Sequence, residues 1–350
     1  MHVLYPLPSS LPVVAIVGAT GVVGRALIDS LMRRAFPLRK LRLFASARSA
    51  GESIDISGRP LTVEALDTVN FADIDIAFFA AGAAISQQYA PLAVAAGTRV
   101  IDNSSAFRMQ EDVPLIVPEA NGQMLDPDAS IIANPNCIAA ILTTALAPLQ
   151  ARWSITRLSL ATYQAASGGG AAMMDELRDS TAAALADAPF TPQVLPHPYA
   201  FNIFSHNADI DTDTGYNGEE TKVIAETRRI LDQPNLPISV TCIRVPVLRA
   251  HGIVANIRFA DHVSAESARQ AIAQAPGLRL VDDAARNHFP MPSEASEREE
   301  VLVGRIRTDL GDPSGRSIAM FIVGDQLWKG AAQNAVQIAE ILQKTATYRQ

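Results

Sequence analysis

Residues 13–17 form an unbroken apolar, mostly β-branched run that passes straight into Gly18-Ala19-Thr20-Gly21-Val22-Val23-Gly24. An apolar run, closely spaced glycines and then an amphipathic stretch at 22–34 constrain the chain to a strand, a tight turn and a helix. Glycines at such a turn let backbone N–H groups approach a pyrophosphate and let the helix pack closely on the strand. The helix N terminus adds partial positive charge. The same spacing also fits an ordinary strand-to-helix turn, but its place at the head of an alternating series favours the phosphate reading. Further strands are expected at 41–45, 75–80 and 99–102 and a helix at 86–96, which predicts a parallel sheet covered on both faces.

The second half reads differently. Strands are expected at 156–163, 239–247, 253–260, 301–307 and 317–323 with fewer helices between them, an α+β layer with a mainly antiparallel sheet. The boundary is expected just after Cys137, where an apolar helix spans 138–149. Residues 186–218, rich in Pro, Asp and Thr, read as an excursion and 287–300 as a loop; a helix at 329–343 closes the chain.

The nucleotide preference follows from a missing acid. A site for NAD places Asp or Glu about 20 residues beyond the glycines, on the ribose 2′-hydroxyl. No acid occurs between Asp29 and Glu52; the second strand ends instead in Ser46-Ala47-Arg48-Ser49. An arginine flanked by hydroxyls suits a 2′-phosphate, so NADP is favoured over the plainer reading of Arg48 as a solvated loop charge.

Charge and cysteine content exclude several classes. With 29 Lys+Arg against 36 Asp+Glu and a net charge of −7, the chain lacks the basic surface that general nucleic-acid binding needs. No apolar run approaches the roughly 18 residues of a membrane span, and residues 1–12 lack the basic start of a secretory signal. Two cysteines rule out a disulfide framework or a cysteine-built zinc site and point to a reducing cytoplasm. They differ in setting. Asn134-Pro135-Asn136 precedes Cys137: the proline favours an extended Asn134 and Asn136 is a good helix cap. Cys137 is therefore expected in the first turn of a helix, where free N–H groups and the macrodipole favour thiolate and make it a nucleophile. Cys242 sits inside a strand with no cap or turn and reads as core.

With those segments in view, the chain resembles the aspartate-semialdehyde dehydrogenase family. The further matching segments are Asp102-Asn103-Ser104-Ser105-Ala106-Phe107-Arg108, Tyr163-Gln164-Ala165-Ala166-Ser167-Gly168, Gly218-Glu219-Glu220-Thr221-Lys222, Arg244-Val245-Pro246-Val247 through His251, Val303-Gly304-Arg305-Ile306-Arg307 and Lys329-Gly330-Ala331-Ala332. The resemblance implies a Rossmann-type α/β dinucleotide-binding domain over 1–137, to which a C-terminal helix (329–350) returns. It also implies an α+β catalytic and dimerisation domain over 138–328, as in glyceraldehyde-3-phosphate dehydrogenase, and a homodimer. The implied reaction interconverts L-4-aspartyl phosphate and NADPH with L-aspartate 4-semialdehyde, inorganic phosphate and NADP⁺, on the route to lysine (through diaminopimelate), threonine and methionine.

The resemblance also implies residue roles. Cys137 would carry a thioester, His251 would accept and donate the proton, and Gln164 would orient the substrate. Arg108 and Lys222 match phosphate-binding positions, Arg244 the carboxylate-binding one, and Glu219 one that receives the amino-acid end. Gly18, Thr20, Gly21, Val22, Val23, Ser46, Arg48, Ser49, Ser167, Gly168 and Gln326 match positions at the cofactor. Glu219 and Lys222 share a helical face, so a surface ion pair between them, or between Lys222 and Glu226, is the plain alternative. His2, His197, His206, His262 and His288 read as terminal or loop residues. Ile138, Gly252, Ala83-Ala84 and Trp328 depart from the commonest family pattern without removing any of these groups. The nearest alternative is N-acetyl-glutamyl-phosphate reductase; Glu219-x-x-Lys222 and the seven-residue step from Arg244 to His251 favour the aspartyl enzyme. A non-catalytic nucleotide-binding paralogue is the alternative of another class, against which the retained Cys137, Gln164, Arg244 and His251 weigh.

Overall fold

A computed structural model describes residues 11–347. The outer limits of the expected domains, 1–10 and 348–350, lie outside the described residues, as does His2. The chain divides into two units: residues 11–118, 122–135 and 332–347 form the first, and 119–121 and 136–331 the second.

The first unit runs β1 (Val13–Val17), α1 (Val22–Arg33), β2 (Lys40–Ala45), β3 (Ser53–Ile56), β4 (Arg59–Ala65), β5 (Ile76–Phe79), α2 (Ala83–Ala95), β6 (Arg99–Asp102), the short α3 (Pro118–Asn121), whose last three residues count with the second unit, and β7 (Ile131–Ala133). Its sheet has the order β3-β4-β2-β1-β5-β6-β7. All pairings are parallel except β3–β4, a hairpin on one edge. The strand order reverses at β1, which is buried along its whole length. A reversal of this kind opens a crevice at the carboxyl ends of the central strands, and the turn beginning at Gly18 lies there. The hairpin β3–β4 was not anticipated, because its exposed, mixed-polarity residues carry little periodicity.

The second unit runs α4 (Cys137–Gln150), β8 (Ile155–Gln164), α5 (Ala171–Leu185), β9 (Phe204–Ser205), α6 (Gly218–Ile230), β10 (Ile238–Arg244), β11 (His251–Phe259), α7 (Ala265–Ala273), β12 (Leu278–Leu280), α8 (Pro292–Ala295), β13 (Val301–Thr308) and β14 (Ser317–Gly324). A π-helical turn, Trp328–Ala332, leads into α9 (Gln333–Thr347), which returns to the first unit. The sheet order is β12-β13-β14-β11-β8-β10-β9. Four of its six pairings are antiparallel, but β8–β10 and β12–β13 run parallel. The sheet is therefore mixed: α5 and α6, between β8 and β10, allow the crossover that parallel neighbours need. Helices α5 and α7 were also unanticipated.

The core of this unit explains α4. The helix has no charged residue, and Ile138, Ile141, Leu142, Leu146 and Leu149 pack in one cluster with Leu158, Ile253, Ile257 and Ile322 of the sheet. A helix apolar on nearly every face belongs in an interior, so its N terminus is fixed by the sheet beneath it. The closing helix was expected to begin at Lys329; the π turn there has a local cause. A Cβ on Gly330 would lie 2.8 Å from Cys137 Cβ, so that turn passes directly against the head of α4. No helix among the described residues is long and apolar enough to cross a membrane.

Leu146→Ala removes core volume beneath α4 and is expected to lower the unfolding free energy by about 2–5 kcal/mol. A shift of the urea midpoint at unchanged slope checks it.

Candidate active site

Cys137 is the first residue of α4, and Asn136 caps it: Oδ1 accepts from Ile138 N–H (2.9 Å) and Ala139 N–H (3.4 Å). The cap is itself held by α6. Asn136 Nδ2 donates to Glu219 Oε1 (3.0 Å), and Asn136 N–H donates to Glu226 Oε2 (2.5 Å). Glu219 Oε1 also accepts from Gln164 Nε2 (3.1 Å), and Thr162 Oγ1 donates to Gln164 Oε1 (3.1 Å). Glu219 Oε2 has no partner among the described residues. A capping box of Asn217 and Glu220 starts α6, and the other Glu220 oxygen accepts from Cys242 N–H. The surface ion pair open to Lys222 does not form: Glu219 and Glu226 are buried against Asn136, while Lys222 is exposed and in no ion pair among the described residues.

Register gathers the remaining groups. Arg244 pairs with Gln164 at the carboxyl ends of parallel β10 and β8, and His251 opens β11, one position before Gly252 pairs with Tyr163. Arg244 is 4% exposed. Its Nε donates to Asn207 Oδ1 (3.1 Å) and its Nη1 to the Ala165 carbonyl (3.2 Å); no carboxylate among the described residues forms an ion pair with it. Burial lowers its pKa from the usual arginine value, and Tyr199, Glu219 and Cys137 lie near enough to oppose that shift. His251 is fully buried, and its Nδ1 accepts from Ala165 N–H (2.9 Å). The neutral ring therefore carries its proton on Nε2, which has no partner among the described residues. Burial first, then Arg244 and His206, holds His251 well below the ordinary histidine range.

Two glycines mark where space is kept or denied. A Cβ on Gly168 would lie 3.1 Å from His251 Nε2 and 3.3 Å from Arg244 Nη1, so Gly168 keeps open the space between imidazole and guanidinium. Gly330 closes against Cys137 as described. Gln326, expected at the cofactor, bonds two residues of this end of the sheet: Oε1 accepts from Ala250 N–H (3.0 Å), and Nε2 donates to Ser167 Oγ. Cys242 is buried in β10, and burial pushes its thiol up to about 12.

In the first unit, Gly18 has φ +93°, and a Cβ there would lie 2.8 Å from the Ala80 carbonyl; on Gly24 it would lie 2.2 Å from Gly18 O. Gly21 precedes α1 with no side-chain cap and no acid in the first turn, so no protein anion competes for those N–H groups. Thr20, Val22 and Val23 line the turn, half-buried. Gly18 N–H and Ala19 N–H donate to Phe44 O in β2, which ties this turn to the one that follows. There Ser49 N–H donates to Ser46 O, and Ser46 and Arg48 are exposed, Arg48 in no ion pair among the described residues. The cradle, the open helix terminus and the arginine fit a dinucleotide with an added phosphate. Arg108 is buried, its Nε on the Asn134 carbonyl and its Nη2 on that of Asn103, both at 2.9 Å.

The structure thus gathers Cys137, Gln164, Ser167, Gly168, Glu219, Arg244, His251 and Gln326 within one unit, and the phosphate-turn residues, Ser46, Arg48, Ser49 and Arg108 within the other. Four positions went unassigned from sequence: Glu226, Asn207, Gly330 and His206. Glu226 lies seven residues from Glu219, on the same helical face, a signal that was legible. His206 was set aside as a loop residue. Burial and Arg244 push it down to about 4, and Glu219 and Lys222 are close enough to act on it. His288 pairs with Glu294 and His197 packs edge-on against Phe204.

Residues 13–127 match the family model for a semialdehyde dehydrogenase NAD binding domain, and residues 146–329 that for a semialdehyde dehydrogenase dimerisation domain. An aspartate-semialdehyde dehydrogenase of Synechocystis sp. is 45% identical, covering 94% of this chain and 96% of its own. One of Aquifex aeolicus is 43% identical over 95% and 98%. A crystal structure of aspartate semialdehyde dehydrogenase II from Vibrio cholerae complexed with ASA superposes with a TM-score of 0.92 at 37% identity, covering 96% of this chain and 99% of that one. The Candida albicans enzyme, solved with NADP, gives 0.74 at 25% identity over 95% and 99%.

The two depressed histidines set a pH dependence. Their folded pKa values lie below the ordinary 6.5, so the unfolded chain binds more protons once pH falls through that value. Stability is therefore complete above about pH 6.5 and declines below it, at no more than about 1.4 kcal/mol per pH unit per group. Urea midpoints at pH 7.5, 6.0 and 5.0 check this, and His206→Gln is expected to make the decline shallower.

Proposed function

The chain belongs to the aspartate-semialdehyde dehydrogenase family, and we propose that it reduces L-4-aspartyl phosphate to L-aspartate 4-semialdehyde, releasing inorganic phosphate, through a thioester on Cys137. One observation carries the reading. Cys137 heads α4 with its cap tied through Glu219 to Gln164, at the sheet end that also holds an unpaired Arg244 and a neutral His251.

The residues divide the work as follows. Cys137 sulfur, favoured as thiolate at a helix N terminus, attacks the acyl carbon; the carbon–oxygen bond to phosphate breaks and phosphate leaves. The three N–H donors of Arg244 not engaged by Asn207 or Ala165 hold the substrate carboxylate as a fork. Glu219 Oε2 receives the ammonium. The resemblance gives Lys222, and Arg108 of the first unit, as phosphate-binding residues. The Gly18–Gly24 turn would hold NADPH and Arg48 its 2′-phosphate, and the nucleotide would supply hydride when bound. His251 Nε2–H hydrogen-bonds the oxygen as negative charge develops there and keeps its proton, and that charge expels the Cys137 thiolate as the carbon–sulfur bond breaks and the aldehyde leaves. A neutral ring with its proton on Nε2 suits such a donor, whereas giving the proton up would leave an imidazolate.

We take the first unit as the NADP-binding domain and the second as catalytic and dimerising, the chain acting as a homodimer. Relatives named as aspartate-semialdehyde dehydrogenases do not favour the N-acetyl-glutamyl-phosphate reductase alternative or a non-catalytic paralogue.

Cys137→Ser is expected to lose roughly 10²-fold or more of phosphate-dependent NADP⁺ reduction with aspartate semialdehyde, because a hydroxyl of high pKa replaces the thiolate. Retained turnover would rule out the thioester. Arg48→Ala is expected to raise the KM for NADP far more than that for NAD; equal weakening would overturn the 2′-phosphate assignment.

A further inference from the structure

Arg244 is anchored in an unusual way for a buried cation. A guanidinium removed from water is ordinarily matched by a carboxylate. Here both anchors are neutral: Asn207 Oδ1 on Nε at 3.1 Å and the Ala165 carbonyl on Nη1 at 3.2 Å. The acids of α6 are turned elsewhere. Glu219 Oε1 serves Asn136 and Gln164, and Glu220 serves Asn217 N–H and Cys242 N–H.

Asn207 reaches the guanidinium by a defined path. Phe204 pairs with Arg244 across the β9–β10 edge, and His206 N–H continues the ladder onto Cys242 O. The chain then turns, with Ala208 N–H donating to His206 Nδ1. That turn sets the Asn207 amide over the Arg244 side chain. An amide accepts a hydrogen bond as well as a carboxylate does in direction, yet brings no charge.

We infer that Asn207 is a positioning residue for Arg244, fixing the guanidinium through Nε without adding a negative charge to it, so that the charge serves the α-carboxylate of the substrate. Arg244 has five N–H donors and two are engaged by protein, so the remaining three present an end-on fork. An acid at 207 would occupy the same Nε and cancel the charge before substrate arrives. This assignment rests on the reading of Arg244 as the carboxylate-binding group.

The test compares Asn207→Asp and Asn207→Ala with the wild type. With aspartate semialdehyde, Asn207→Asp is expected to raise KM about tenfold or more while kcat changes less than about threefold, because the loss is of ground-state charge pairing. Asn207→Ala is expected to raise KM by less, since only one neutral anchor goes. A second measurement is independent of the substrate. Cys137 lies within electrostatic reach of Arg244, so anionic iodoacetate and neutral iodoacetamide report the local charge by their rates of alkylating it. The ratio of iodoacetate to iodoacetamide rates is expected to fall about fivefold or more in Asn207→Asp and to hold in Asn207→Ala. A wild-type ratio and KM in Asn207→Asp would overturn the proposal. If Asn207→Asp does not fold, an unchanged KM in Asn207→Ala overturns it equally. A wild type inactive on aspartate semialdehyde would instead defeat the functional reading, and the alkylation ratio would still judge Asn207.

Discussion

The site of the second unit depends on the bonds by which α6 holds the cap of α4. Glu219 and Glu226 stand on one face of α6, and both reach Asn136. A cap residue satisfies N–H groups at a helix start, but nothing local fixes where the cap itself sits. Here two buried carboxylates do so, one on the side chain and one on the backbone. Hydrogen bonds from the Asn136 amide groups and from Gln164 offset part of their cost of burial. Helix α4 beneath is uncharged and apolar on nearly every face, so Cys137 is pinned from below by packing and from above by these bonds.

Around that fixed point the charges are arranged by exclusion. Both hydrogen-bonded anchors of Arg244 are neutral, and Glu219 Oε1 is engaged with amides. The Arg244 charge, added to burial, holds His251 and His206 below the ordinary histidine range. In the proposed reading one cation therefore does two things: it receives a carboxylate and keeps the neighbouring imidazole in the form that carries a proton on Nε2. The two effects are coupled, because a bound carboxylate would relieve the field on both rings.

The two halves of the chain differed in how far they could be read. Strands β1, β2 and β6 and the helix after the glycine turn were legible because apolar runs, glycines and caps act within a few residues. Asn136 as the cap of α4 was legible for the same reason. The hairpin of β3 and β4, the helices α5 and α7 and the parallel pairing of β8 with β10 were not. Strand direction is decided by how the intervening segments cross the sheet, which periodicity does not report. His206 was set aside because its neighbours along the chain are loop-like, whereas its neighbours in space are Arg244, Glu219 and Lys222.

The amino-acid order alone therefore determined the glycine cradle, the absence of an acid beyond it, the cysteine at a helix start and the family motifs that carry the chemistry. All of these are local: a turn, a cap or a short motif is complete within a few residues. Only the tertiary structure decided which acids are engaged with amides, that Gln326 joins Ala250 to Ser167, and that Asn207 meets Arg244. Those outcomes rest on burial and on hydrogen bonds between residues tens to more than a hundred positions apart, and a buried charge is defined by everything around it.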